Sequence, residues 1–260
     1  MKYFGGCDVG STYTKAVILD ENGKMCADTT IRSKINAEQS AIAAMEEVCG
    51  KVGLKDSKEL AYLIGTGYGR NKVPFADENI SEISCHAMGV HVTNPEVRAI
   101  IDIGGQDVKG ISIDTDGTVK SFAMNDKCSA GTGRFFEAMA RSFEMSLPEF
   151  SNLSLTAKNV IPITAQCTVF AESEVISQLA NGVRRPDLVA GICRSVASRV
   201  AALARRTGVT EQVCLSGGVA RNDAVRQALS DELNVPVSVD PLAQYFGAIG
   251  AALWAYKQTT

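Results

Sequence analysis

Ile101-Asp102-Ile103-Gly104-Gly105-Gln106-Asp107 restates, at a constant offset of 94 residues, the pattern of Cys7-Asp8-Val9-Gly10-Ser11-Thr12-Tyr13. The match runs on without a gap through Lys15 and Lys109, Asp20 and Asp114, and Gly23 and Gly117. Each copy reads as strand, glycine turn, strand, hairpin, strand. The predicted strands are Tyr3–Val9, Thr14–Asp20 and Lys24–Arg32, then Val97–Ile103, Asp107–Asp114 and Thr118–Met124. Polar and glycine positions repeated in this way identify an internal duplication, and therefore two related α/β halves.

Outside the repeat, apolar residues at helical spacing predict helices over Ala37–Val52, Glu82–Val90, Pro186–Arg206, Asp223–Leu233 and Leu242–Tyr256. Short apolar runs predict strands at Leu60–Ile64, Val213–Ser216 and Val235–Val239. The last helix carries Gly247, Ala248, Gly250, Ala251 and Ala252, which predicts a close approach to another element.

Each repeat ends its first strand in an aspartate followed by a glycine turn, whose backbone N–H groups can cradle phosphate oxygens. Ser11, Thr12 and Lys15 add hydroxyls and a charge in one copy; Gly104, Gly105 and Gln106 form the tip of the other. Asp8 and Asp102 are placed to hold magnesium, which favours one or two carboxylates together with phosphates. A third piece, Leu215-Ser-Gly-Gly-Val-Ala-Arg-Asn222, offers the flat Gly217-Gly218 surface to an adenine ring. Asn222 can cap the following helix or bond the sugar or base. Two ordinary hairpins with glycine turns are the competing reading. A Gly-x-x-x-x-Gly-Lys-Ser/Thr loop does not occur.

Two cysteines stand ahead of predicted helices. Cys128 precedes Phe135–Phe143, and Cys167 precedes Val169–Leu179. Helix N-termini favour thiolates. Two such cysteines are half of a four-thiolate metal site, which a symmetry-related second chain would complete; alternatively both are small buried hydrophobes. Cys7, Cys26, Cys49, Cys85, Cys193 and Cys214 read as the latter. Only His86 and His91 are available, so a histidine-rich metal site is excluded.

A net charge of −3 gives no reason to expect nucleic acid. The opening Met1-Lys-Tyr-Phe-Gly-Gly-Cys-Asp meets a charge too early for a signal peptide, and no apolar run approaches membrane-spanning length. With eight cysteines, that predicts a reducing cytoplasm.

Asp8-Val-Gly-Ser-Thr, Asp102-Ile-Gly-Gly-Gln and Ser216-Gly-Gly-Val resemble the two phosphate motifs and the adenosine motif of the actin, sugar-kinase and heat-shock ATPase superfamily. Asn125-Asp-Lys-Cys-Ser-Ala-Gly-Thr-Gly-Arg-Phe135, Cys167-Thr-Val-Phe-Ala-Glu-Ser-Glu174 and Pro241-Leu-Ala-Gln-Tyr245 are similar to one branch of it. That branch comprises activators of 2-hydroxyacyl-CoA dehydratases and ATP-binding subunits of benzoyl-CoA-type reductases. The resemblance implies two actin-like (ribonuclease H-like) halves with nucleotide in the cleft between them. The expected halves are 1–96, with the helix of 242–260 packing back on it, and 97–241.

The resemblance further implies a homodimer with one [4Fe–4S] cluster held by Cys128 and Cys167 of each subunit. Its expected activity is ATP-dependent one-electron donation to a dehydratase, supplied by ferredoxin or flavodoxin. Gln244 joins Gly217 and Gly218 near the nucleoside. Gln106 would orient the attacking water, with Asp107 as the alternative. Glu172 and Glu174 are either functional or simple helix-dipole partners. The stretch Gly65–Arg70 takes no role. A small-molecule kinase and a zinc-bridged adaptor are the rival readings.

Overall fold

The computed structural model describes residues 2–165, 167–209 and 212–259. In chain order the elements are β1 (Phe4–Val9), β2 (Tyr13–Leu19), β3 (Met25–Arg32), α1 (Ala37–Lys51), β4 (Tyr62–Thr66), β5 (Glu78–Asn79) and α2 (Glu82–Thr93). Then follow β6 (Ala99–Ile103), β7 (Val108–Ile113), β8 (Val119–Asn125), α3 (Gly133–Ser142), α4 (Leu147–Ser154), α5 (Thr168–Ala180) and α6 (Arg185–Arg205). Last come β9 (Val213–Ser216), α7 (Asp223–Leu233), β10 (Val237–Val239) and α8 (Phe246–Lys257).

The chain forms two five-stranded sheets of the same topology, β3-β2-β1-β4-β5 and β10-β9-β6-β7-β8. Position for position, β1 corresponds to β6 and β4 to β9. The central strands β1 and β6 are buried along their whole length, as strands covered on both faces must be. By packing, one compact unit comprises Met1–Val97, Ile113–Lys120 and Gln244–Thr260; the other comprises Arg98–Ser112 and Ser121–Ala243.

The duplication extends to individual hydrogen bonds. Gly10 N donates to Tyr13 O as Gly104 N donates to Asp107 O. Asp20 N and Asp114 N donate to Lys24 O and Thr118 O, closing hairpins whose Gly23 and Gly117 sit at φ +74° and +81°. Aspartate faces lysine across the first hairpin of each copy, Asp8 opposite Lys15 and Asp102 opposite Lys109.

In the first unit, α8 packs on β1, β4 and α2. A Cβ at Gly6 would lie 2.1 Å from Ala248 O, and one at Gly250 would lie 1.8 Å from Cys85 O. Only backbone fits at those crossings, which is why β1 and α8 are rich in glycine and alanine. The helix opens at Phe246 rather than Leu242. The Asp240 carboxylate accepts from Leu242 N at 2.7 Å and holds a separate turn ahead of it. Pro236, lacking a donor, delays the last strand to Val237.

Sequence periodicity missed α4. It is short, and its signature is a capping box between Ser146 and Glu149 with Pro148 in the first turn.

Candidate nucleotide and thiolate sites

In the first unit, Asp8 is buried at the end of β1, and Lys15 Nζ donates to its Oδ2 at 3.2 Å. Ser11 and Thr12 occupy the turn beyond it. Thr12 Oγ1 is buried with no hydrogen-bond partner among the described residues. A buried hydroxyl in that condition fits a phosphate oxygen or a hydrated cation as its missing partner. In the second unit, Lys109 Nζ donates to Asp102 Oδ2 at 3.2 Å and to Asp107 Oδ2 at 2.5 Å. Gly104 and Gly105 shape the turn, and Gln106 is exposed at its tip.

No group of three or more His, Cys, Asp or Glu side chains able to hold a metal ion occurs among the described residues. Asp8 and Asp102 therefore suit magnesium only as single carboxylates, the remaining positions being left to phosphate and water, and that is the habit of this ion.

The strand β9 ends in Ser216, Cα partner of Asp102, and the chain turns sharply at Gly217, φ +84°. A Cβ there would stand 2.4 Å from Ile103 O and 2.7 Å from Asp102 Oδ1. The structure thus brings Gly217 against the base of the Gly104–Asp107 loop. Gly218 borders open space. Asn222 Oδ1 accepts from Val225 N at 3.1 Å, capping α7, and from Ser151 Oγ at 2.8 Å. Gln244 lies in the turn ahead of α8, in the first unit.

The same corner exists in the first unit, and it explains Gly65–Arg70. Thr66 is the Cα partner of Asp8, and Gly67 turns at φ +88° with its Cβ position 2.4 Å from Asp8 Oδ1. Thr66 and Ser216 each donate a hydroxyl to a backbone carbonyl, of Ile80 and Ala243. Thr66-Gly67 is the duplicate of Ser216-Gly217. Only the glycine is shared, so the sequence alone left the stretch without a counterpart.

The cysteines separate by environment. Cys7, Cys49, Cys85, Cys193 and Cys214 are buried. Burial pushes the Cys49 thiol up to about 11 and those of Cys85, Cys193 and Cys214 up to about 12. These are inert packing groups. Cys26, expected among them, is exposed on β3, where its thiol donates to the Ile18 and Lys24 carbonyls.

Cys128 and Cys167 are exposed, Cys128 in the loop before α3 and Cys167 at the N-cap of α5. Ser129 Oγ and Thr168 Oγ1, the next residues along, are hydrogen-bonded at 3.1 Å, so the two cysteine segments lie side by side. Glu172 accepts from Ser142 Oγ at 2.8 Å and ties α5 to α3. Glu174 accepts from Thr164 N and Ala165 N at 2.8 to 3.1 Å and pins the approach to Cys167. Both acids therefore brace the cysteine segments.

Two further bonds join this region to the Gly104–Asp107 turn. Gly133 N donates to Gly104 O, and Arg134 N donates to Gly105 O, both at 2.9 Å. The first amides of α3 thus rest on the carbonyls of that turn.

Two thiolates in one chain do not complete a tetrahedral or cubane site, which takes four. Two chains would supply that set. Val169 and Phe170, 66% and 68% exposed beside Cys167, give the apolar surface such an association needs.

The sequence profile of the BadF/BadG/BcrA/BcrD ATPase family matches residues 6–255. The chain is 46% identical over 257 residues to the (R)-2-hydroxyglutaryl-CoA dehydratase activating ATPase of Acidaminococcus fermentans, covering 98% of both chains. It is 48% identical to the activator of lactoyl-CoA dehydratase of Anaerotignum propionicum, again covering 98% of both. The solved activator of the 2-hydroxyisocaproyl-CoA dehydratase from Clostridium difficile with bound ADPNP superimposes with a TM-score of 0.93 at 44% identity, covering 98% of this chain and 95% of that one.

Proposed function

The chain belongs to the BadF/BadG/BcrA/BcrD ATPase family, and on that basis we propose that it is the ATP-driven activator of a 2-hydroxyacyl-CoA dehydratase or related CoA-thioester reductase. Its task is to couple ATP hydrolysis to delivery of one electron to that enzyme, as a homodimer served by ferredoxin or flavodoxin. Cys128 and Cys167 of each subunit would hold one [4Fe–4S] cluster. When bound, the cluster supplies reversible one-electron chemistry at low potential.

The supporting observation is the placement of one turn. Gly104–Asp107 meets the Gly217 corner at its base, and its carbonyls hold the start of the helix behind Cys128. A kinase has no use for exposed thiols tied to its phosphate loop.

ATP phosphates would be taken by the turns at Ser11, Thr12, Gly104 and Gly105, with Lys15 contributing charge. Asp8 and Asp102 would hold magnesium. Gly217, Gly218, Asn222 and Gln244 would accommodate the nucleoside. For Asn222 that leaves the amide nitrogen, since Oδ1 serves the α7 cap and Ser151. Gln106, exposed at the tip of its turn, would orient the attacking water, with Asp107 as the alternative. Hydrolysis would alter the contacts of the Gly104–Asp107 turn and, through Gly133 and Arg134, the setting of the Cys128 loop.

The test is anaerobic purification followed by iron, sulfide and mass analysis, and then iron chelation with ATP or ADP bound. The expected outcome is a brown dimer whose iron is chelated at a nucleotide-dependent rate. Cys128→Ser and Cys167→Ser should each lose the iron and keep ATP affinity. A colourless wild-type protein, or one carrying zinc instead, would end the reading.

A further inference from the structure

We propose that Arg199 is the counter-cation of the Cys128 thiolate and of the cluster it helps to hold, and that it positions the two cysteine segments of one chain. The proposal rests on the cluster reading above. Arg199 projects from the second half of α6, and its Nη2 donates to Ala165 O at 2.8 Å, two residues before Cys167. Its guanidinium lies 5.9 Å from the centroid of Phe135, in the first turn of α3 behind Cys128. The same side chain therefore touches the approach to one cysteine and the helix that follows the other.

One end of its guanidinium is unmatched among the described residues. Nη1 is buried and has no hydrogen-bond partner among the described residues. An open concavity of about 350 Å³ beside it is lined in part by Met124, Asn125 and Ala130, which flank Cys128 on both sides. Half-buried cations are normally matched by an anion. The segments that Arg199 touches lead to Cys167 and follow Cys128, and a metal centre held by those two cysteines would supply that anion.

The consequence for such a centre follows from charge. Four thiolates around an iron–sulfur core leave a net negative charge, and reduction adds one more electron. A fixed cation nearby favours the more negative, reduced form, and net charge is one of the quantities that set the potential of these clusters. Arg199 would thus keep the reduced state within reach of its low-potential donor. In a homodimer the effect is exerted from both sides.

The experiment compares wild type, Arg199→Gln and Arg199→Lys as anaerobically purified dimers, measuring iron and sulfide content and the reduction midpoint by dye-mediated titration. Arg199→Gln is expected to lower the reduced-to-oxidised ratio at fixed poise about tenfold, a shift of about 59 mV for one electron. Arg199→Lys, which keeps the charge and loses the planar fork, should stay within about a third of that shift. If Arg199→Gln fails to retain a cluster while Arg199→Lys holds one at the wild-type midpoint, the charge is again what matters. Equal midpoints in wild type and Arg199→Gln overturn the proposal. So do equal shifts, or equal cluster loss, in both variants, since these mark a brace without an electrostatic role. A wild-type protein without iron and sulfide overturns the cluster reading itself, and that assay is read before any variant.

Discussion

Replacing Gly217 with alanine puts a number on the corner after β9. Gly217 sits at φ +84°, ψ −177°, a region that side-chain-bearing residues occupy at a cost of about 1–3 kcal/mol. The added methyl would also stand 2.4 Å from Ile103 O and 2.7 Å from Asp102 Oδ1. Neither atom can swing away freely, because one is backbone and the other belongs to a buried carboxylate, so relief costs about 1–3 kcal/mol more. The total is about 2–6 kcal/mol. At about 2–4 °C per kcal/mol for a chain of this size, Gly217→Ala should melt at least about 4 °C below wild type. Gly218 is the control. A Cβ there meets nothing within 4 Å, so Gly218→Ala should change stability by no more than about 0.5 kcal/mol. Thermal unfolding without nucleotide reads both effects. Calorimetric titration with ATP then separates structure from function, because a methyl on an adenosine-facing Gly218 weakens binding while the melting point holds. A Gly217→Ala protein that melts with wild type would refute the reasoning, since neither the backbone conformation nor the close approach would then be as tight as described.

Lys109→Met deprives the buried Asp102 of a cation 3.2 Å away and Asp107 of one at 2.5 Å. The expected loss is about 3–5 kcal/mol, read as a lower urea midpoint. The buried Asp187 carboxylate ties the 158–159 backbone to the start of α6, and the bond from Lys158 N holds it below the usual carboxylate range against the opposing effect of burial. Its folded pKa is depressed, so its stabilisation is complete above the unfolded value of about 3.9 and is lost as pH falls through the folded one. Asp187→Asn should therefore melt below wild type at neutral pH, with the gap closing below about pH 4.

How far the sequence could be read depended on whether side chains or backbone carried the information. The duplication was legible because aspartate, lysine and hairpin glycines do the same local work in both copies, and the structure repeats even their hydrogen bonds. The two exposed cysteines were legible from their position ahead of helices. Cys26 was misjudged because a strand-like run does not say which face is buried; β3 lies at a sheet edge, and its alternation turns Cys26 outward. The pairing of Thr66-Gly67 with Ser216-Gly217 was illegible because the corner demands only a small hydroxyl residue and a positive φ. Arg199 lies more than thirty residues from either cysteine and acts across the fold, so no local pattern exposes it.

The route from nucleotide to thiol was also illegible, and for a definite reason. The covalent path between them runs along β7 and β8 and through the whole Cys128 loop. The structure offers a shorter one in which no side chain takes part: Gly104 O and Gly105 O accept the first amides of α3. A Cβ at Gly133 would come within 3.3 Å of Gly104 O, so turn and helix end meet backbone to backbone, without a flexible side chain to absorb displacement. The helix itself is anchored by Phe135, Phe136 and Met139, all buried, and so responds as a body. Such a contact transmits only what nucleotide binding distinguishes. ATP and ADP must favour different settings of the Gly104–Asp107 turn, because a ligand that binds two conformations equally moves neither. The turn is placed to respond in that way, since the atoms that would meet the terminal phosphate and those that hold α3 belong to the same few residues.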